Sequence, residues 1–367
     1  TNDLLALKEK STKEKCELSQ KTQVSVYQAT CGFTSGAQEV LEALKKELHA
    51  KNLTDVAVLE HSCMGCCYLE PYMSVTDSED IYTLYGYLTP ENVKQIVQTH
   101  LMGGKVVQEY TVDINTPFFS RQEKRITELL GKINPFKIED YIYYDGYQGL
   151  SKTLEMKQTD VIEEVKRSGL RGRGGAGFPT GIKWNFAYNT DSDQKYIVCN
   201  ADEGDPGAYM NRAELEGNPH AVLEGMAIGG YAIGANKGYI YVRAEYPLAV
   251  EILNASIAQA QEYGLLGKGM GNHGPEPAYN NTCESEEGKE LCRGKTGKPV
   301  WHHKGDHSHY KTRGYAVSDL ASQHGRGCEL FHGNRPKDQP EHKGGAGHAN
   351  IPEQGSHNCL ETSEQQY

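Results

Sequence analysis

Residues 169–184 read GLRGRGGAGFPTGIKW, with six glycines, two arginines, one lysine, Phe178 and Trp184. Glycine runs let backbone N–H groups approach an anion without interference from a Cβ. Arginine and lysine neutralise phosphate, and aromatic rings offer flat faces to other rings. The segment therefore reads as a loop wrapped around a nucleotide or a flavin. Gly172, Gly174 and Gly177 also match G-x-G-x-x-G, but a dinucleotide turn needs a strand before it and a helix after it. Residues 160–169, DVIEEVKRSG, instead place Val161, Ile162 and Val165 on one helical face, with Gly169 as a helix stop. Pro179 and Gly181 argue against a helix starting directly after Gly177. An ordinary dinucleotide turn is excluded on these grounds, and the lack of G-K-[ST] excludes a P-loop. A flexible linker is the alternative, and the density of Arg, Phe and Trp stands against it.

Residues 195–212 read KYIVCNADEGDPGAYMNR. Tyr196, Ile197, Val198 and Cys199 predict a short apolar strand of the buried parallel type. Asn200, Asp202, Glu203 and Asp205 stand at its carboxyl end, where ligands of open α/β sheets bind. Carboxylates repel phosphate, so these acids suit the hydroxyls of a ribityl or ribose group. Asn200 offers both donor and acceptor to a ring edge. The alternative is an acidic surface turn built on Asp205-Pro206-Gly207.

Cysteine is the third reactive group. The chain of 367 residues has ten, clustered rather than spread. Clustering fits metal or redox use in a reducing compartment better than disulfide staples. Residues 61–71, HSCMGCCYLEP, bring Cys63, Cys66 and Cys67 onto a tight glycine loop, and Cys31 stands upstream.

Together the glycine loop and the acidic strand tip resemble the family of NADH-oxidising FMN flavoprotein subunits. That family is shared by respiratory complex I, NAD-linked hydrogenases and NAD-dependent formate dehydrogenases. The likeness continues through GNPH at 217–220, EGM at 224–226 and YIYVRAEYP at 239–247. It implies that Arg173, Gly174, Gly175 and Ala176 hold FMN and that Lys183 sits by the flavin, where a cation favours the reduced, anionic ring. It implies that Asn200, Asp202 and Glu203 bond the flavin and its ribityl chain. Phe178 and Phe186 resemble the aromatic pair that stacks on NADH. Asp205 stands where complex I members usually carry glutamate, which leans toward the hydrogenase and formate dehydrogenase branch. The implied chemistry is hydride transfer between NAD(H) and FMN, then one-electron transfer to iron–sulfur centres, with no catalytic side chain. The implied partners are iron–sulfur electron-transfer subunits and a catalytic hydrogenase, formate dehydrogenase or similar subunit, all cytoplasmic. The alternative is a cofactor-depleted scaffold or docking subunit of an electron-transfer complex.

These groups need elements to hold them. Strands are predicted at 24–27 and 56–59, hairpin strands near 73–75 and 81–84, and helices over 36–49 and 91–100. Val40, Leu41, Leu44 and Leu48 form one stripe of the first helix. This β-α-β-β-β-α order resembles the thioredoxin-like [2Fe–2S] ferredoxin domain. The implied ligands are Cys31, Cys63 and Cys67, with Cys66 as a substitute candidate. The family's first ligand pair is C-x4-C, and here only Cys31 is present, with Tyr27 near the place of its partner. A cluster with rearranged ligation and a domain kept only for docking both stand open.

The expected fold is α/β: an N-terminal thioredoxin-like domain, then an α/β FMN/NADH-binding domain. The first spans 20–112 and a connector follows over 113–159. The connector holds a helix over 121–130 and a tyrosine group (Tyr141, Tyr143, Tyr144, Tyr147) expected to pack under the glycine loop, with an interface as the alternative. The second domain spans 160–270, with helices over 220–235 and 249–263 and a strand at 238–242. Residues 271–367 form a polar, His-rich tail of uncertain order: they hold eight Ile, Leu, Val or Phe residues and ten of the fourteen histidines. The spacing of Cys283, Cys292, Cys328 and Cys359 does not suit a [4Fe–4S] cluster, and His302, His303, His307 and His309 read as a solvated tract. A net charge of −11 argues against nucleic-acid binding. With no run of eighteen apolar residues, no membrane span is expected.

Overall fold

The computed structural model describes residues 2–205, 207–267 and 278–281. The cysteines and histidines singled out in the tail lie outside the described residues. An opening helix that no sequence pattern announced, α1 (Asn2–Ser19), turns Leu4 and Leu7 into a core, and its Lys15 meets Asp140 at 2.8 Å.

The first sheet is built on β1 (Thr22–Tyr27), whose Val24 and Val26 are fully buried. Because β2 (Val56–His61) runs parallel to it, the chain has to cross over, and α2 (Thr30–Ser35) and α3 (Ala37–Ala50) make that crossing. The predicted stripe of α3 is buried at Val40, Leu41, Leu44 and Leu48. An antiparallel hairpin of β3 (Met73–Thr76) and β4 (Tyr82–Tyr85) completes the order β2-β1-β3-β4. Thr89 accepts the Asn92 N–H at 3.4 Å and so caps α4 (Pro90–Ile96). The predicted thioredoxin-like element order is present in full.

In the connector, α5 (Pro117–Ser120) is a single turn. Residues 121–130 form turns in place of the expected helix. Of that run only Leu130 is buried, and Lys124 reaches back to the Met64 carbonyl at 2.8 Å, so the segment lies along the cysteine loop. Two short helices follow, α6 (Ile138–Tyr143) and α7 (Gln148–Leu154). Tyr141 and Tyr147 are buried against His220 and Glu224, not under the glycine loop. Tyr143 and Tyr144 meet edge to face.

The next helix, α8 (Gln158–Arg167), buries Val161 and Ile162, and the chain leaves it through Gly169 at φ +67. After the glycines, α9 (Thr180–Asn189) begins directly behind Pro179, closer than the sequence suggests. Gly181 is a packing residue there: a Cβ would sit 2.6 Å from the Lys166 backbone nitrogen of α8. A helix on either side bears out the exclusion of a strand–turn–helix dinucleotide site.

The second sheet joins β5 (Tyr196–Ala201), β6 (Lys237–Val242) and β7 (Ala278–Asn281) in parallel, in that order. Its connections are α10 (Met210–Gly217) with α11 (Pro219–Ile233), and α12 (Pro247–Glu262). β7 falls within the stretch whose composition reads as tail. α12 buries Ile252, Ile257 and Ala260 as the pattern predicts. β5, by contrast, is not buried on both faces. Ile197 and Cys199 pack on the core, while Tyr196 and Val198 are 40% and 39% exposed. Among the described residues one face of that strand is covered, by α11. Gly229 permits the close approach, since a Cβ there would lie 3.1 Å from Trp184 and 3.3 Å from Ile197. No described helix is long and apolar enough to cross a membrane.

Candidate cofactor and metal sites

The glycine loop stands open. A Cβ added at Gly174 or Gly175 would meet nothing within 4 Å, and Gly175 and Gly177 hold φ of +98 and +61. Arg173 and Ala176 are exposed beside them. The loop is pinned at its base, where the Gly172 N–H donates to the Phe178 carbonyl at 2.9 Å and Arg171 Nε to the Gly177 carbonyl at 2.6 Å. Exposed backbone at positive φ, flanked by guanidinium groups, is what a phosphate-bearing ligand requires. Lys183 and Phe186 lie exposed on α9, and Phe178 is partly exposed just before it.

At the carboxyl end of β5, Asn200 Oδ1 accepts the Asp202 N–H at 3.0 Å, which folds the tip into a turn. Asn200, Asp202 and Asp205 are exposed, and Gly204 has open space above it. Glu203 behaves differently. It is buried, and its carboxylate accepts the N–H groups of Asn211 at 3.0 Å and Arg212 at 3.3 Å and the Tyr246 hydroxyl at 2.9 Å. Burial alone would raise this carboxyl, but the hydrogen bonds it accepts, from the Asn211 N–H, the Tyr246 hydroxyl and the Arg212 and Met210 N–H groups, together hold it below the usual range. Glu203 thus fastens the start of α10 to the strand tip.

The far side of α10 reaches the cysteines. The sulfurs of Cys31, Cys63 and Cys67 lie within 4.8 Å of one another, with Cys63 and Cys67 3.7 Å apart. Cys66 is buried in the apolar cluster with Leu69 and Leu84 and is not part of that group. Near the place of the missing cysteine, Tyr27 stacks on Tyr72 at 4.4 Å and its hydroxyl meets Ser74 at 3.0 Å. The Gly65 N–H and the Tyr72 hydroxyl each donate to Cys63 Sγ at 3.3 Å. Arg212, buried on α10, places Nη1 3.6 Å from Cys31 Sγ and Nη2 3.9 Å from Cys67 Sγ. Its own counter-ion is Glu216 at 3.5 Å, which also accepts the Thr30 N–H at 2.9 Å. The hydrogen bonds of Cys31 and Cys63, then Arg212, hold Cys67 far below the ordinary thiol range, while Cys63, Cys67 and burial push Cys31 up. Beside them Glu70 is buried, and its Oε1 accepts from Cys31 Sγ at 3.3 Å. No role for Arg212, Glu216 or Glu70 is legible from spacing, because their partners are remote in the chain.

Three convergent sulfurs against a buried cation form a donor set suited to an anionic thiolate-bound group. The open glycine loop and the exposed polar strand tip likewise suit a flavin mononucleotide.

Residues 15–100 match the family model described as thioredoxin-like [2Fe-2S] ferredoxin, and residues 165–292 match the Nuo51 FMN-binding domain. The NADP-reducing hydrogenase subunit HndC of Solidesulfovibrio fructosivorans is 58% identical over 190 residues, covering 49% of this chain and 38% of that protein. An NADH-quinone oxidoreductase subunit of Aquifex aeolicus is 48% identical over 133 residues, 36% of this chain and 31% of that protein. The alpha subunit of the NAD-reducing hydrogenase HoxS of Cupriavidus necator is 31% identical over 283 residues, 72% of this chain and 45% of that protein. The chain thus spans less than half the length of each of these relatives.

Proposed function

We propose that this chain, in which a thioredoxin-like [2Fe–2S] ferredoxin domain precedes a Nuo51 FMN-binding domain, is the electron-input part of a multi-subunit oxidoreductase acting on a nicotinamide dinucleotide. The observation that carries this reading is α10. One two-turn helix is held at its start by the acidic strand tip and lays a guanidinium on the thiols.

FMN and a [2Fe–2S] cluster, when bound, would supply hydride acceptance and single-electron transfer, respectively. The backbone N–H groups of 173–176 and the Arg173 guanidinium hold the phosphate. Asn200 and Asp202 orient the ribityl chain and ring edge, with Asp205 beside them, and Glu203 keeps the tip at the depth they need. Lys183 offers a positive charge to the ring. Phe178 and Phe186 flank the nicotinamide dinucleotide; such stacking is worth about 0.5–1.5 kcal/mol beyond area burial. Cys31, Cys63 and Cys67 ligate iron, and Arg212 offsets the negative charge that accumulates there. The relatives are themselves hydrogenase and quinone oxidoreductase subunits, which supports comparable partners for this chain. The six described cysteines are free thiols, which supports a reducing, cytoplasmic setting.

The test is a visible spectrum of the full chain reconstituted anaerobically with FMN, before and after NADH. Bound flavin that bleaches on NADH addition is the expected result. A chain that retains no FMN overturns the proposal in favour of a cofactor-free docking role.

A further inference from the structure

A two-iron cluster takes two protein ligands on each iron, and three cysteines leave one position open. Among the remaining side chains beside the sulfurs is a carboxylate. Glu70 ends the short turn Cys67–Leu69, where its N–H donates to the Cys67 carbonyl at 3.3 Å. Its residue is 9% exposed, and its Oε2 has no hydrogen-bond partner. Its Oε1 lies 3.3 Å from Cys31 Sγ. Gly32 leaves room for it, since a Cβ there would stand 3.2 Å from Glu70 Oε2. A carboxylate buried this way with an orphan oxygen costs stability unless something cationic meets it.

The spacing of the donors is informative. In a tetrahedral site with metal–sulfur bonds of about 2.3 Å and metal–oxygen bonds of about 2.0 Å, two sulfurs on one ion lie about 3.8 Å apart. A sulfur and an oxygen on one ion lie about 3.5 Å apart by the same geometry. Cys63 and Cys67 are 3.7 Å apart, and Cys31 and Glu70 are 3.3 Å apart. Both distances are short enough for two donors to share one metal ion, and the three sulfurs also lie within 4.8 Å of one another, so Glu70 joins a single compact donor group through Cys31.

We propose that Glu70 is the fourth ligand of this centre, supplied from beside Cys31. The assignment rests on the reading that this domain holds a [2Fe–2S] cluster. A carboxylate carries the same charge as the thiolate it replaces, so Arg212 faces the same net ligand charge as in a four-cysteine site.

The test uses the full chain and its Glu70→Ala and Glu70→Cys variants, each loaded anaerobically with ferrous iron and sulfide and then desalted. Iron and sulfide are counted, and visible absorption and low-temperature EPR after dithionite are recorded. Far-UV circular dichroism and the thermal midpoint establish that each variant is folded. The parent is expected to keep the iron of one cluster, and Glu70→Ala to lose retained iron by about tenfold or more, as removal of a metal partner does. Glu70→Cys is expected to keep the cluster with stronger thiolate-to-iron absorption and an altered EPR signal. Equal iron in Glu70→Ala with parent-like spectra would overturn the assignment while leaving the cluster reading intact. Parent-like spectra in Glu70→Cys would overturn it as well. A parent chain that retains neither iron nor sulfide would overturn both the cluster reading and this assignment.

Discussion

Arg212 makes a signed prediction about redox potential. Its Nη atoms lie 3.6 and 3.9 Å from Cys31 and Cys67 Sγ, so its charge is roughly 6 Å from an electron placed on metal behind those sulfurs. At an effective dielectric of about 20, that separation is worth about 3 kcal/mol. For a one-electron centre this converts to about 120 mV. Glu216, 3.5 Å from Arg212, acts with the opposite sign from further away and is worth less. Arg212→Gln is therefore expected to lower the midpoint potential of the reconstituted centre by about 100 mV, and Glu216→Gln to raise it by a few tens of mV. Each single change leaves a buried charge without its partner, so the Arg212→Gln/Glu216→Gln double variant serves as the stability control. An EPR-monitored redox titration reads all three. Two single variants that shift in the same direction, or an Arg212→Gln potential within about 20 mV of the parent, would refute the electrostatic account.

Three further outcomes are expected. Gly175→Val forces a branched side chain to φ +98 and roofs the open loop, so FMN affinity measured by flavin fluorescence should fall at least about tenfold, with a lowered melting temperature from backbone strain of about 1–3 kcal/mol. His220 is buried with Nδ1 on the Tyr147 hydroxyl at 2.8 Å and Nε2 on Gln259 at 3.2 Å, an arrangement satisfied by neutral imidazole; burial lowers its pKa to about 4. The unfolded chain then binds more protons below about pH 6.5, so stability falls as pH drops toward 4, by about 3 kcal/mol for this residue. His220→Gln should flatten that slope in urea unfolding measured at pH 7 and pH 4.5, and an unchanged difference would count against it. Glu224 accepts the Tyr141 hydroxyl at 2.6 Å and the N–H groups of Tyr147 and Leu150 at 2.8 and 2.9 Å, so Glu224→Ala should cost about 3 kcal/mol or more by chemical denaturation.

Local patterns were legible. The α3 stripe, the helix stop at Gly169 and the short apolar runs of β1 and β2 all report on neighbours within a turn or a strand. The exclusion of a dinucleotide turn also rests on local periodicity. What failed were judgements about which face meets which. Apolar residues in β5 suggested burial on both sides, and periodicity cannot say how many faces a strand has covered. Residues 121–130 have helical spacing, but Lys124 is drawn to the Met64 carbonyl and Leu130 to the close approach at Gly217. Gly181 reads as a helix breaker in one dimension and as a contact point in three. The thiol group is legible as Cys31, Cys63 and Cys67, because cysteine is rare enough to stand out singly. Its charged partner is not, because Arg212 lies 181 positions from Cys31 in sequence, and nothing local marks it.

The lodging of Glu216 against Thr30 bears on how this polypeptide can be divided. Severing the chain between the two would leave a guanidinium and a carboxylate facing solvent on one fragment and a thiol cluster stripped of its cation on the other. The two folding patterns are therefore not interchangeable cassettes. Grafting either one alone onto a new carrier would require transplanting the eight residues Met210–Gly217 along with the cysteine loop.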